Sequence, residues 1–383
     1  MGFPLALVFA DKGLSVIIHD TNLESLDKIR NGIVPFMEKG AKPLLEECLE
    51  KGRLIVSSNR ADVSRAKTII VTIGTPVDEF HNPVLRVVKD CVDELMDYLS
   101  GDQLLVLRST VYPGTTEWLY NYFKTRGKPM KVAFCPERVV QGSAIEEIQE
   151  IPQIVSGSTA KAEQEAADLF RVISRNLVFL SPMEAEFAKL MTNAYRYVQF
   201  AAANQFYMIA QSAGVDYGRV LEGMKENYPR ARDIPRAGFA AGPCLFKDTM
   251  QLSAFSNNQF GLGHAAMLVN EGMALFVVEA MAQKYRLDQL VVGLLGMAFK
   301  ADIDDNRASL SYKLKRLLAF RAKATLTTDP HVTTDTELLP LETVLDMADL
   351  FVLCVPHSAY RAVDFKGKPV VDIWGHLGQG TLI

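Results

Sequence analysis

The sequence predicts an α/β protein with two doubly wound parallel-sheet domains joined by a central helical region, on the strength of three observations. Apolar runs recur at 68–73, 103–107 and 131–134, and they are continuous rather than alternating, as parallel strands covered on both faces require. From Pro182 to about Gly214, and again from about His264 to Tyr285, the chain is apolar and helical in pattern. Beyond Leu290 the strand and helix alternation begins again. The expected segments are residues 1–180, 181–286 and 287–383.

A chain of 383 residues exceeds what one hydrophobic core organises. Hydrophobic content of 49%, charged content of 22% and a net charge of −4 fit a soluble globular protein with no general attraction for nucleic acid or anionic membrane. Anionic ligands must therefore be met by local basic groups. Cys48, Cys91, Cys135, Cys244 and Cys354 are scattered and odd in number, which gives neither a disulfide framework nor a CxxC metal site. A reducing cytoplasm is expected, with no metal. No uninterrupted apolar run reaches the roughly 18 residues of a membrane span, and no signal-type start is present.

In order along the chain, residues 1–10 read as a helix, Asp11-Lys12-Gly13 as a turn, and Leu14 to Asp20 as a buried strand ending in an acid. That is half of a nucleotide-binding βαβ unit, in which a G-x-G-x-x-G turn admits a pyrophosphate and an acid about 20 residues on binds ribose hydroxyls. Gly2 takes the place of the third glycine and Asp20 that of the acid, so a first strand and two glycines are expected to be missing from this unit. A generic helix-to-strand connection has the same pattern. The next strand ends carry Gly74-Thr75-Pro76, Arg108-Ser109-Thr110 and Cys135-Pro136-Glu137-Arg138. Open α/β sheets bind ligands at such carboxyl ends, although small and polar residues also simply make turns.

In the central region Lys189 and Asn193 are four residues apart with Glu186 nearby, so a cation and an amide share one helix face. The segment Gly238 to Asp248 holds Cys244 in a glycine-bearing loop followed by Lys247 and Asp248. A nearby cation and exposed N–H groups favour the thiolate, the reactive form; the plainer alternative is a small buried residue beside a turn. In the last segment Lys300 and Arg307 follow a strand end and suit a diphosphate.

The order of these landmarks resembles the UDP-glucose/GDP-mannose dehydrogenase family, the nucleotide-sugar 6-dehydrogenases, over essentially the whole length. The residues that carry the resemblance are Gly2-Phe-Pro-Leu-Ala6, Gly74-Thr-Pro76, Arg108 to Thr116, Cys135-Pro-Glu-Arg138, Glu186 to Asn193, Gly242 to Asp248 and Ala298 to Arg307. The resemblance implies Rossmann-like outer domains, NAD as cofactor, a UDP-sugar substrate (UDP-N-acetylhexosamine or UDP-glucose), a homodimer built on the apolar helices, and a place in polysaccharide biosynthesis. It also implies a four-electron oxidation at C6, with Cys244 as nucleophile, Lys189 and Asn193 as oxyanion donors, and Asp248, Glu137 and Thr110 in proton transfer. Gly2, Asp20, Gly74, Thr75, Pro76, Ser109 and Thr110 would hold NAD. Glu137, Arg138, Lys189, Asn193, Gly238, Lys300 and Arg307 would hold substrate. Gln141 stands where many UDP-glucose members carry a glutamate implicated in thioester hydrolysis, and an amide cannot act as a base. A relative that binds nucleotide-sugar without an intact NAD site is the alternative.

Overall fold

The computed structural model describes residues 1–240 and 242–383. They divide into two compact units, Met1–Thr192 and Asn193–Ile383. The boundary falls within one long helix, and the central segment beyond it is counted with the C-terminal unit rather than standing alone.

The first unit runs α1 (Gly2–Asp11), β1 (Val16–His19), α2 (Leu23–Arg30), α3 (Ala41–Glu50), β2 (Leu54–Ser57), β3 (Thr68–Val71), α4 (Arg86–Leu95), β4 (Leu104–Leu107), α5 (Thr115–Thr125), β5 (Lys131–Phe134), α6 (Ala144–Glu150), β6 (Gln153–Gly157), α7 (Ala160–Arg171) and β7 (Leu177–Phe179), and enters α8 (Pro182–Ser212). The strands form two sheets, β1-β2 and β3-β4-β5-β6-β7. In a nucleotide-binding sheet of order 3-2-1-4-5-6 the strands here called β2 and β1 would be followed by the first strand, and then by β3, β4 and β5. The two sheets are the flanks of that position, and the edges of β1 and β3 away from β2 and β4 carry no strand among the described residues. β1 to β5 pair in parallel as expected. β6 departs from the all-parallel expectation: it runs antiparallel to β5 and parallel to β7. Leu104, Val106, Ala133 and Val155 cover one face together with Phe170, and Leu105, Leu107, Val132 and Phe134 cover the other with Phe123.

The second unit completes α8 and continues through α9 (Tyr217–Lys225), α10 (Leu245–Phe255), α11 (Gly261–Lys284), β8 (Val291–Leu295), α12 (Leu310–Leu318), β9 (Ala324–Thr328), α13 (Leu341–Met347), β10 (Leu350–Leu353) and β11 (Val370–Val371). Its sheet has the order β11-β10-β8-β9 and is parallel throughout. One face packs Val292, Leu294 and Val352 against Leu310, Leu314 and the α11 residues Met273, Val277 and Met281. α11 is long and apolar enough by length and composition to cross a membrane, which the sequence reading did not register because Asn270, Glu271 and Glu279 interrupt its apolar runs. Here Met273, Ala274, Val277 and Met281 are wholly buried within the unit.

Candidate active site

In the first unit the expected cofactor residues gather at strand ends. Gly2 opens α1, and a Cβ there would stand 2.5 Å from the Thr72 hydroxyl just past β3. That close helix-to-strand approach is the use a nucleotide-binding turn makes of its third glycine. Asp20 directly follows β1, is exposed, and accepts a hydrogen bond from the Asn22 amide at 2.9 Å. Beside it His19, Thr21, Ser58, Asn59, Arg60 and Tyr98 line a cavity of about 420 Å³. The loops after β3 and β4 are tied together: the Thr75 hydroxyl donates to the Thr110 carbonyl at 2.6 Å, and the Ser109 hydroxyl to the Ile73 carbonyl at 2.5 Å. Gly74 and Pro76 lie exposed on the same loop.

Glu137, expected as a base, is held by Arg108 and by loop amides. Arg108, 1% exposed, donates to its Oε2 from Nη2 at 2.8 Å and Nε at 3.1 Å. Oε1 accepts from the Arg138 and Val139 amides at 2.9 and 3.3 Å. The same guanidinium reaches the Cys135 carbonyl and Gln153 Oε1, each at 2.9 Å, and lies over the Phe170 ring. Both carboxylate oxygens are thus committed to holding the Cys135 to Val139 loop on the strand β4, and removing one partner of so buried a pair costs about 3–5 kcal/mol. Arg138 is half-buried, which lowers its pKa, and it donates to the Pro152 carbonyl.

Where α8 begins, Glu186 is buried and accepts from the Gly114 amide at 2.6 Å, the Thr116 amide at 2.8 Å and the Thr116 hydroxyl at 2.6 Å. Burial raises its pKa against those hydrogen bonds. Lys189 follows it by three residues on the same helix.

In the second unit a wholly buried carboxylate organises the thiol loop. Asp248 accepts from Asn193 Nδ2 at 2.5 Å and pairs with Lys247 Nζ at 2.7 Å. Asp248 lies in the first turn of α10, and Cys244 is the N-cap residue of that helix. Lys247 is thus turned to Asp248, and the helix N-terminus supplies the positive environment for the thiol. Among the described cysteines Cys244 alone is exposed; Cys91 is partly covered and Cys48, Cys135 and Cys354 are buried. Burial pushes Cys135 up to about 12 and raises Cys48, Cys91 and Cys354 as well.

Glycines shape the approach to this thiol. Gly242 has φ 108°, and a Cβ on it would meet the Phe299 ring at 2.8 Å, which brings the Cys244 loop against the residue before Lys300. A Cβ at Gly238 would fall 2.3 Å from the Trp374 ring, and the Gly238 amide donates to Asn204 at 2.8 Å. Arg307 lies within electrostatic reach of Cys244, and its ion pair with Asp305 at 2.6 Å raises its pKa.

The loops after β8, β9 and β10 meet on Asp329. Its Oδ2 accepts from the Met297 and Ala298 amides at 2.6 and 2.9 Å and bonds His357 Nε2 at 3.1 Å. Oδ1 accepts from the His331 and Val332 amides at 2.8 and 3.0 Å. Asp302, His331 and His357 bring ligand atoms within 4.8 Å of one another, but His357 uses its second nitrogen to accept the Asp302 amide at 2.9 Å. Burial by itself would raise the Asp329 carboxyl; His357 and the backbone amides outweigh it and hold the group far below the ordinary carboxylate range. A depressed folded-state pKa stabilises above the unfolded value and loses that contribution as pH falls. Asp329→Asn should therefore cost about 3 kcal/mol of folding stability at pH 7, and the gap from the parent should narrow below about pH 4, measured by urea denaturation across pH. A gap independent of pH would show that charge is not what the loops require.

Comparison with known proteins divides the chain into three segments. The family models described as "UDP-glucose/GDP-mannose dehydrogenase family" match in succession: the NAD binding domain at residues 1–174, the central domain at 183–272 and the UDP binding domain at 293–379. The chain is 29% identical to the UDP-N-acetyl-D-mannosamine dehydrogenase of Pyrococcus horikoshii, over 96% of this chain and 89% of that one. It is 26% identical to the NDP-N-acetyl-D-galactosaminuronic acid dehydrogenase of Ralstonia nicotianae, covering 98% and 93% of the two chains. The solved UDP-glucose dehydrogenase of Pyrobaculum islandicum superposes with a TM-score of 0.91 at 25% identity, over 100% of this chain and 94% of that one.

Proposed function

This chain belongs to the UDP-glucose/GDP-mannose dehydrogenase family and is an NAD-dependent nucleotide-sugar dehydrogenase, and we propose that it converts the C6 hydroxyl of a UDP-N-acetylhexosamine to the carboxylate through a covalent intermediate on Cys244. The observation that carries the proposal is the contrast among the described cysteines: Cys244, two residues after Gly242, is exposed at the N-cap position of a helix, whereas Cys91 is partly covered and the others are buried. The N-acetylhexosamine is favoured by the substrates named for the Pyrococcus and Ralstonia relatives, and by Pro136-Glu137-Arg138.

Gly2, Asp20, Gly74, Thr75, Pro76, Ser109 and Thr110 suit NAD, whose nicotinamide supplies the hydride acceptor in both oxidations. An acid at Asp20 favours ribose hydroxyls over a 2′-phosphate. The Cys244 sulfur adds to the C6 aldehyde, forming a C–S bond and a thiohemiacetal oxyanion to which Lys189 and Asn193 would donate. Loss of the second hydride leaves a thioester. Water then attacks the carbonyl carbon, the C–S bond breaks, and the electron pair returns to Cys244 as thiolate. Asp248, braced by Lys247 and Asn193, is the base for that water, with Thr110 assisting. Glu137 and Arg138 contribute the fixed wall of the sugar site, Gly238 its close backbone approach, and Lys300 and Arg307 meet the diphosphate. A second copy of the chain on α8 and α11 is supported by Tyr195, Ile209, Leu262 and Leu268, exposed by 64%, 59%, 61% and 69%; a monomer mass in light scattering would remove it. The reduced thiols suit a cytoplasmic setting.

Cys244→Ala should abolish uronate formation, followed by NADH absorbance and product analysis, while UDP-sugar affinity stays within about twofold; ordinary turnover by this variant would refute the covalent route. Lys300→Ala and Arg307→Ala should each raise KM for the UDP-sugar roughly tenfold, the loss of one charged hydrogen bond, and an unchanged KM would take that residue out of the diphosphate site.

A further inference from the structure

Glu186 is not among the groups that touch substrate or cofactor in the reading above, yet it is a carboxylate 1% exposed, in the first part of a helix that carries Lys189. Burying such a group is costly unless its lone pairs are filled. Three donors fill them, all from the start of one helix 70 to 72 residues away: the Gly114 amide, the Thr116 amide and the Thr116 hydroxyl. Gly114 is the N-cap of α5 with φ 91°, and no side chain of α5's own caps that end. Glu186 therefore serves as the cap of another helix, in the position where a carboxylate gains most from unsatisfied N–H groups and the helix dipole.

The consequence is geometric. A hydrogen bond to three convergent donors fixes both the height and the rotation of α8 at that turn, where a purely apolar contact would let it slide or roll. The buried Ala185 and Leu190 complete the seating. Lys189 lies three residues on, about 60° around the axis and about 4.5 Å along it, so its Cα is set by the same turn.

We propose that Glu186 is a positioning residue for catalysis: by capping α5 it fixes the turn of α8 from which Lys189 reaches the oxyanion. This rests on the assignment of Lys189 under the proposed function. Glu186→Gln keeps the size but replaces an acceptor oxygen with an NH₂ group that faces N–H donors, and Thr116→Val removes one donor from the opposite side. A purely structural role would lower stability and nothing else. A positioning role instead lowers kcat and leaves KM for the UDP-sugar in place.

The test is a cycle of kinetics on the full chain with a UDP-N-acetylhexosamine and NAD. Glu186→Gln should reduce kcat roughly tenfold to a hundredfold with KM within about twofold, as expected for misplacement of a catalytic group. Thr116→Val should act in the same direction and more weakly. In a Lys189→Ala background neither substitution should reduce kcat further. Equal losses in both backgrounds would overturn the positioning role while leaving Lys189 in place; so would a Glu186→Gln enzyme with parental kcat. Should Glu186→Gln not fold, Thr116→Val carries the same comparison. Parental kcat in Lys189→Ala alone would overturn both the lysine's role and this one.

Discussion

The arrangement of the candidate site depends on one buried carboxylate. Asp248 is wholly withdrawn from water, and an ion in that position is tolerable only with opposite charge and hydrogen bonds supplied on the spot. Lys247 and Asn193 supply them, and Asn193 belongs to α8 while Asp248 belongs to α10. The requirement to satisfy Asp248 thus fixes one helix against another, and the helix so fixed has Cys244 at its N-cap. The thiol's exposure, its helix-terminal setting and its glycine-lined approach all follow from where that helix starts. Gly242 against Phe299 then joins the loop to the β8 end that carries Lys300.

The same physics recurs at three other places, each a buried acid clamping loops that bear functional groups. Glu137 with Arg108 holds the Cys135 to Val139 loop. Glu186 caps α5 beneath Lys189. Asp329 draws together the loops beyond β8, β9 and β10. Carboxylates with two oxygens and about four lone-pair directions are suited to gathering backbone amides from separate segments. Their abundance here fits a family in which chemistry sits on loops and precision must come from beneath.

Much of this was legible in the sequence. Continuous apolar runs gave the parallel strands, since a strand covered on both faces cannot alternate, and β5 was read at its observed limits, Lys131–Phe134. The Gly-Pro-Cys-Leu-Phe-Lys-Asp segment announced the thiol because glycine, cysteine and a charge pair together are uncommon in a mere turn. What was illegible was pairing. Arg108 and Glu137 are 29 residues apart and Glu186 lies 70 from Thr116, and no local pattern says which cation or amide an acid will find. Thus the pairing of Glu137 with Arg108 and the loop amides, and that of Lys247 with Asp248, are written only in the fold. β6 escaped notice because the direction in which a strand joins a sheet is not written in its residues.

Selective alkylation tests the central claim most directly, since it asks about the thiol without requiring turnover. The native chain would be treated with limiting iodoacetamide, digested and mapped by mass spectrometry, with and without a UDP-N-acetylhexosamine. The account predicts label on Cys244 alone, slowed when the UDP-sugar is present. Label spread over Cys48, Cys91, Cys135 and Cys354 at comparable rates, or an unlabelled Cys244, would contradict it.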